Sequence, residues 1–191
     1  MAKVGFEYVV AAELDTAVSV SKATAKYKNA RVISPAATVN GSPTTSDVKD
    51  YGDDRAVETD VSVTGGTLSL ELNEPTMENE AWMLGHEVEE TGGMVRNVND
   101  IPPYLGVGFV GKSKRNGKLV YKSKIYLKSQ FREPNDENQT KQENVTFSHT
   151  TLEGNLFQLE NGDWKVENEH ETLEAAKTAV NTLLCLTGAS S

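Results

Sequence analysis

The chain of 191 residues has a single cysteine, Cys185, so it forms no internal disulfide and carries no four-cysteine zinc site. It has few basic residues as well: 19 Lys and Arg stand against 28 Asp and Glu, a formal charge of −9. Affinity for phosphate backbones comes mostly from Lys and Arg displacing condensed counterions, so a molecule with this balance is expected to repel nucleic acid as a whole. Long apolar runs are missing too, and nothing approaches the about 20 apolar residues that span a bilayer. The opening MAKVGFEYVV alternates instead of forming a continuous hydrophobic stretch before a small-residue cleavage site. The expectation is a soluble chain that is not exported by a signal peptide. With 37% hydrophobic and 25% charged residues it has enough apolar side chain to fold.

Period-two alternation dominates, the pattern of strands with one buried face. Val4, Phe6, Tyr8 and Val10 form a first set. Val57, Val61 and Val63 lead to Gly65-Gly66, followed by Leu68, Leu70 and Leu72, which reads as a hairpin. Leu105, Val107 and Phe109 lead to Asn116-Gly117, with Leu119, Tyr121, Ile125 and Leu127 on the return strand. Val145 with Phe147, and Leu156 near Leu159, suggest further strands, and Asn161-Gly162 offers a third turn before Trp164 and Val166. Two helices are expected. One opens at Asn73-Glu74-Pro75 and ends at Gly85, with Met77, Ala81 and Leu84 on one face. The other runs from about Asn168 to Leu186, with a stripe of Leu173, Ala176, Val180 and Leu183 and Gly188 as its stop. The fold class is therefore mainly β: an antiparallel sandwich or partly closed barrel with one short flanking helix and a C-terminal amphipathic helix. Residues 1–160 are assigned to the β domain and 161–191 to a hairpin-and-helix extension. Residues 34–56, rich in Ser, Thr, Pro, Gly and Asp, read as a long polar loop suited to an inter-subunit arm through Asp47, Asp50, Tyr51, Asp53 and Asp54.

No catalytic constellation emerges. His86, His149 and His170 are far apart and lack a second ligand at metal-binding spacing. Asp53-Asp54 and Asp136-Glu137 are adjacent pairs whose side chains on a strand would diverge. The stretch 133–143 is oxygen-rich but lacks the order of a calcium loop. Gly106 and Gly108 form a partial Gly-x-Gly with no helix after it, so a phosphate cradle is not supported. Cys185, set among leucines, reads as a buried inert thiol. The chain is expected to be no enzyme and to need no cofactor or metal.

The charge pattern is uneven. Seven acids and no base lie between Glu71 and Glu90, and seven bases and no acid between Lys112 and Lys128. Opposed patches of this kind steer association and fix register, so Glu78, Glu80 and Glu87 are candidates to meet Lys114, Arg115 and Lys118 of a neighbouring copy.

Leu84-Gly85-His86 closing a short helix, then Pro102-Pro103-Tyr104 entering a strand, Asn116-Gly117, Lys128, Phe131, Thr140-Lys141, Leu152 and Gly154 follow one another in an order that resembles the major tail proteins of long-tailed, non-contractile phages of Gram-positive bacteria. Lys3-Val4-Gly5-Phe6 is similar to the start of that family, and the resemblance covers about residues 1–157. It implies a tail-tube β-sandwich and homo-hexameric rings stacked into a tube whose lumen conducts the genome without specific binding. It also implies a location in the virion tail after assembly in the host cytoplasm, partners among tape-measure, terminator and baseplate proteins, and no membrane contact. The competing expectation is a non-enzymatic adhesin-like β-sandwich that binds sugar or protein through its loops.

Overall fold

The computed structural model describes residues 2–33, 36–52, 55–73, 75–90, 92–135 and 150–186, with residues 2–4, 37, 47–52 and 55–61 described by backbone alone. Twelve elements follow in order: β1 (Ala2–Leu14), β2 (Tyr27–Val32), β3 (Ala36–Gly52), β4 (Arg55–Leu72), α1 (Met77–Leu84), β5 (Glu87–Val88), β6 (Met94–Val95), β7 (Leu105–Arg115), β8 (Lys118–Arg132), β9 (Thr150–Phe157), β10 (Lys165–His170) and α2 (Leu173–Leu183). The protein is mainly β and antiparallel. One sheet runs β2-β1-β7-β8-β9-β4-β3, with β10 added to β8, while β5 and β6 pair separately. That path is open, so the partly closed barrel expected from sequence does not form among the described residues.

β7 shows how the sheet is buried on both faces. Leu105, Val107 and Phe109 enter one core with Val9, Ala11, Leu68, Leu70, Met83, Leu84 and Leu152. Val110 enters a second core with Val10, Ala12, Tyr27, Ile125, Leu127, Ala176, Val180 and Leu184. Each fully buried Leu or Val in these cores contributes about 1.5–3 kcal/mol. The first core joins β3, β4 and β9 to β1, β7 and β8, because the sheet folds back on itself: a Cβ built on Gly41 of β3 would lie 2.1 Å from the Tyr126 hydroxyl of β8. The second core is covered by α2, whose N-cap Thr172 accepts a hydrogen bond from the Ala175 N–H. The Asn161-Gly162 turn forms, with Gly162 at φ 88. The strand after it pairs with β8 and not with β9. The C-terminal segment, expected as an extension, is thus part of the sheet and its cover.

Register irregularities explain where simple alternation misreads the chain. β1 shifts register against β7 between Glu7 and Val10, with Tyr8 at φ 62. Such a bulge exchanges the two faces. Phe6 accordingly packs on the first core while Tyr8 and Val10 belong to the second, so they are not one set. Gly65-Gly66 is not a turn. It lies within β4, where Thr44 pairs with Gly65 and the register then slips to Thr45 with Val63. A Cβ on Gly66 would meet the Ser42 carbonyl oxygen at 2.5 Å, a close backbone approach that glycine permits.

Both helices start later than expected. Thr76 caps α1 in place of Asn73, and Met77 is 48% exposed while Ala81, Met83 and Leu84 are buried. Residues 168–170 belong to β10, and α2 begins only at Leu173. Cys185 is exposed, not buried: it follows the buried Leu184, and its left-handed φ of 56 turns it away from the core.

The glycines of β7 make the docking of α2 possible. A Cβ on Gly108 would lie 2.7 Å from Val180 Cγ1, and one on Gly106 would lie 2.3 Å from the Tyr27 ring. Gly108→Ala should therefore destabilise the protein by about 1–3 kcal/mol through overpacking. Urea unfolding checks this, and an unchanged or higher midpoint would contradict the packing described.

Candidate assembly surfaces

The end of α1 and the loop before β7 form one pinned unit. Gly85 closes the helix at φ 77, and its N–H bonds the Ala81 carbonyl. A Cβ at this position would stand 2.5 Å from the Ile101 carbonyl oxygen, so glycine lets the 96–104 loop lie against the helix end. His86, with its side chain 4% exposed, places Nδ1 2.7 Å from Asp100 Oδ2 and Nε2 against the Glu133 carboxylate. Asp100 also accepts from the Asn97 N–H at 2.8 Å, and Asn97 Oδ1 accepts from the Asn99 N–H at 2.9 Å. Arg96 reaches Glu80 at 2.9 Å and Glu133 at 3.4 Å. The hydrogen bond to His86, and after it the Asn97 N–H, holds the Asp100 carboxyl below its ordinary range.

This arrangement is structural in character. Both ring nitrogens of His86 face carboxylates, so neither is placed to take a proton from a nucleophile. Among the described residues no group of three or more His, Cys, Asp or Glu is arranged to hold a metal ion. What the unit presents to solvent is apolar: Val98 is 98% and Ile101 79% exposed. On the neighbouring β5–β6 pair Val95 shares a face with Glu87, and the exposed Val88 lies on the opposite face with Met94. A shallow cleft beside it is lined by Arg31, Glu78, Trp82, His86 and Val88, with the Arg31 guanidinium 4.8 Å from the Trp82 ring centre.

At the far end of β7, Asn116 and Gly117 make the expected two-residue turn, with φ of 48 and 80. The basic block there is largely neutralised within the chain. Lys112 pairs with Glu7 at 2.8 Å, Arg115 and Lys122 with Glu169 at 2.9 and 2.8 Å, and Lys124 with Glu167 at 3.3 Å. Strand β10, whose last three residues are expected from sequence to open the C-terminal helix, supplies two of these acids. Glu169 is held below the ordinary carboxylate range first by its hydrogen bond from Lys122. Of the candidate inter-subunit charges, Arg115 and Glu80 thus already have partners in their own chain. Glu78, Glu87, Lys114 and Lys118 are exposed and make no ion pair among the described residues.

The expected polar loop at 34–56 is mostly strand. β3 and β4 stay paired from Ala36 with Leu72 to Gly52 with Arg55, yet β9 accompanies β4 only over Gly66–Leu72. Past that point Thr45–Gly52 and Arg55–Val63 form a ribbon of two strands, roughly 25 Å long at about 3.3 Å per residue. Asp47, Asp50 and Tyr51 lie on it, opposite Val61, Glu58 and Ala56. Asp53 and Asp54 fall outside the described residues, as do His149, Asp136-Glu137, Thr140-Lys141, Val145 with Phe147, and Gly188.

Compared with known proteins, the chain matches no family model and no curated protein.

The depressed Asp100 carboxyl fixes a sign. Its stabilising contribution is complete above the unfolded value near ~4 and is lost as pH falls through the lower folded value. Asp100→Asn should therefore lower stability at neutral pH and leave a shallower loss of stability as pH falls below about 4. Urea midpoints measured across that range test it, and parallel acid limbs for the two proteins would refute the assignment.

Proposed function

We propose that this chain is a structural subunit of the tail tube of a long-tailed phage. In this reading it forms hexameric rings that stack around a lumen conducting the genome, in a virion tail assembled in the host cytoplasm. The observation that carries the proposal is the ribbon of β3 and β4 beyond residue 65. Among the described residues no third strand joins it past Gly66, and a two-stranded ribbon is marginal in water and leaves most N–H and C=O groups of its outer edges open. Such edges are completed by strands or surfaces of another chain. The antiparallel sheet, folded over a shared core and flanked by the short α1, suits the sandwich of a tail-tube subunit. The −9 charge fits a wall past which DNA slides, because each phosphate contact would slow its passage. The reading needs no catalytic residue and no cofactor; tape-measure, terminator and baseplate proteins are its partners by analogy.

Negative-stain microscopy of the purified protein over a range of concentrations should show rings or tubes. A variant in which residues 46–62 are replaced by Asn-Gly should keep its cooperative unfolding yet lose the assemblies. Monomers at every concentration, above all monomers that bind a glycan, would overturn the proposal in favour of an adhesin-like module.

A further inference from the structure

The two ends of β7 carry exposed apolar side chains near charges of opposite sign. At its start, the pinned 96–101 loop exposes Val98 and Ile101; nearby, Val95 of β6 shares a face with the exposed Glu87, and Glu78 is exposed on α1, neither acid making an ion pair among the described residues. At its other end, the β7–β8 turn exposes Leu119 at 50%, with Lys114 opposite it across the ladder and Lys118 preceding it in the chain, neither lysine making an ion pair among the described residues. Eleven residues of strand separate these ends, roughly 35 Å at about 3.3 Å per residue.

We infer that the apolar loop of one copy receives the Leu119 turn of a second copy, with Lys114 and Lys118 meeting Glu78 and Glu87. This rests on the self-association proposed above and assigns it one specific contact. Three observations support it. The hydrophobic side chains at the loop are displayed by a closed hydrogen-bonded network and not by a frayed segment, so little ordering is lost when they are covered. The charges that make no ion pair among the described residues are of opposite sign at the two ends, which steers the approach and selects the register. The surfaces also lie at opposite ends of one strand, so a copy that receives a turn at one end still offers its own at the other. The contact is head-to-tail and propagates, as closed rings and stacks both require.

The test uses the full chain. Val98→Cys and Leu119→Cys, each in a Cys185→Ser background, are mixed and oxidised. The inference expects a disulfide-linked dimer from the mixture and at least a tenfold lower yield from either protein alone. In parallel, Lys114→Glu/Lys118→Glu and Glu78→Lys/Glu87→Lys should each lose assembly by sedimentation and microscopy, and mixing the two should restore it, since each supplies the end the other has reversed. Circular dichroism and thermal unfolding matching the parent show that the variants are folded; for a variant that does not fold, the cross-linking result alone decides. Assemblies that form normally from both charge-reversed proteins, with no cross-link in the mixture, would overturn this contact and leave the tail-tube reading standing. A parent protein that stays monomeric throughout would overturn both.

Discussion

A strand buried on both faces needs a cover on each side, and that requirement at β7 organises most of the molecule. Its odd-numbered side chains, Leu105, Val107 and Phe109, call for the folded-over β3, β4 and β9 layer and for α1. On the other face Val110 is preceded by Gly106 and Gly108, too small to fill a core by themselves. The space they leave is taken by Tyr27, Val180 and Leu184, so α2 can sit directly on the sheet. Tyr27, buried there, donates its hydroxyl to the Leu127 carbonyl at 2.9 Å, which satisfies the one polar atom it brings into the core. That burial, with Cys185 close by, raises its phenol well above the ordinary range.

Much of this was legible because strands and turns follow local rules. The Asn116-Gly117 hairpin, the alternation of β7 and the Gly85 stop of α1 all depend on residues near them in sequence. What escaped depends on distant partners. The Tyr8 bulge is invisible to a period count, since nothing in the alternation of Phe6, Tyr8 and Val10 marks where the faces exchange. The ribbon of β3 and β4 looked like loop because its polar residues have no core face, yet strands that leave a sheet need no such face; Thr38, Val39, Thr44, Thr45 and Val48 were the β-branched signal available. The last three residues of β10 read as helix because they run into the amphipathic stripe of α2. The strand's own cue was a period-two pair of acids, Glu167 and Glu169, which stand in register with Lys124 and Lys122.

The same cross-strand charges bear on assembly. Counting acids and bases along the sequence suggested two blocks free to meet between copies, but folding consumes part of each first. Exposed ion pairs of this kind are worth roughly 0.2–1 kcal/mol apiece, so their effect on stability is small. They matter more as selection: by neutralising Arg115, Lys122 and Lys124 they leave, among the described residues, Lys114 and Lys118 as the positive charges without an ion pair at the tip of this hairpin. A diffuse basic face would attract phosphate as readily as protein, whereas two lysines beside an exposed leucine make a small surface of mixed character.

The residues that carry the resemblance to tail proteins also have local physical reasons to be where they are. Leu84 fills the core, Gly85 admits the Ile101 carbonyl, and His86 anchors Asp100. The Pro102 carbonyl accepts from Gln130, Lys128 lies 4.4 Å from the Tyr104 ring centre, and Gly154 lets β9 pass the Gln130 carbonyl. Nearly all of these contacts fix one end of the sheet around the 96–104 loop. Folding on its own gives no reason to expose Val98 almost completely while surrounding it with so many fixed hydrogen bonds, since a polar residue there would serve solubility better. Rigid support beneath exposed apolar side chains is the arrangement expected of a surface that is covered when the protein does its work, with its conformational entropy already given up during folding.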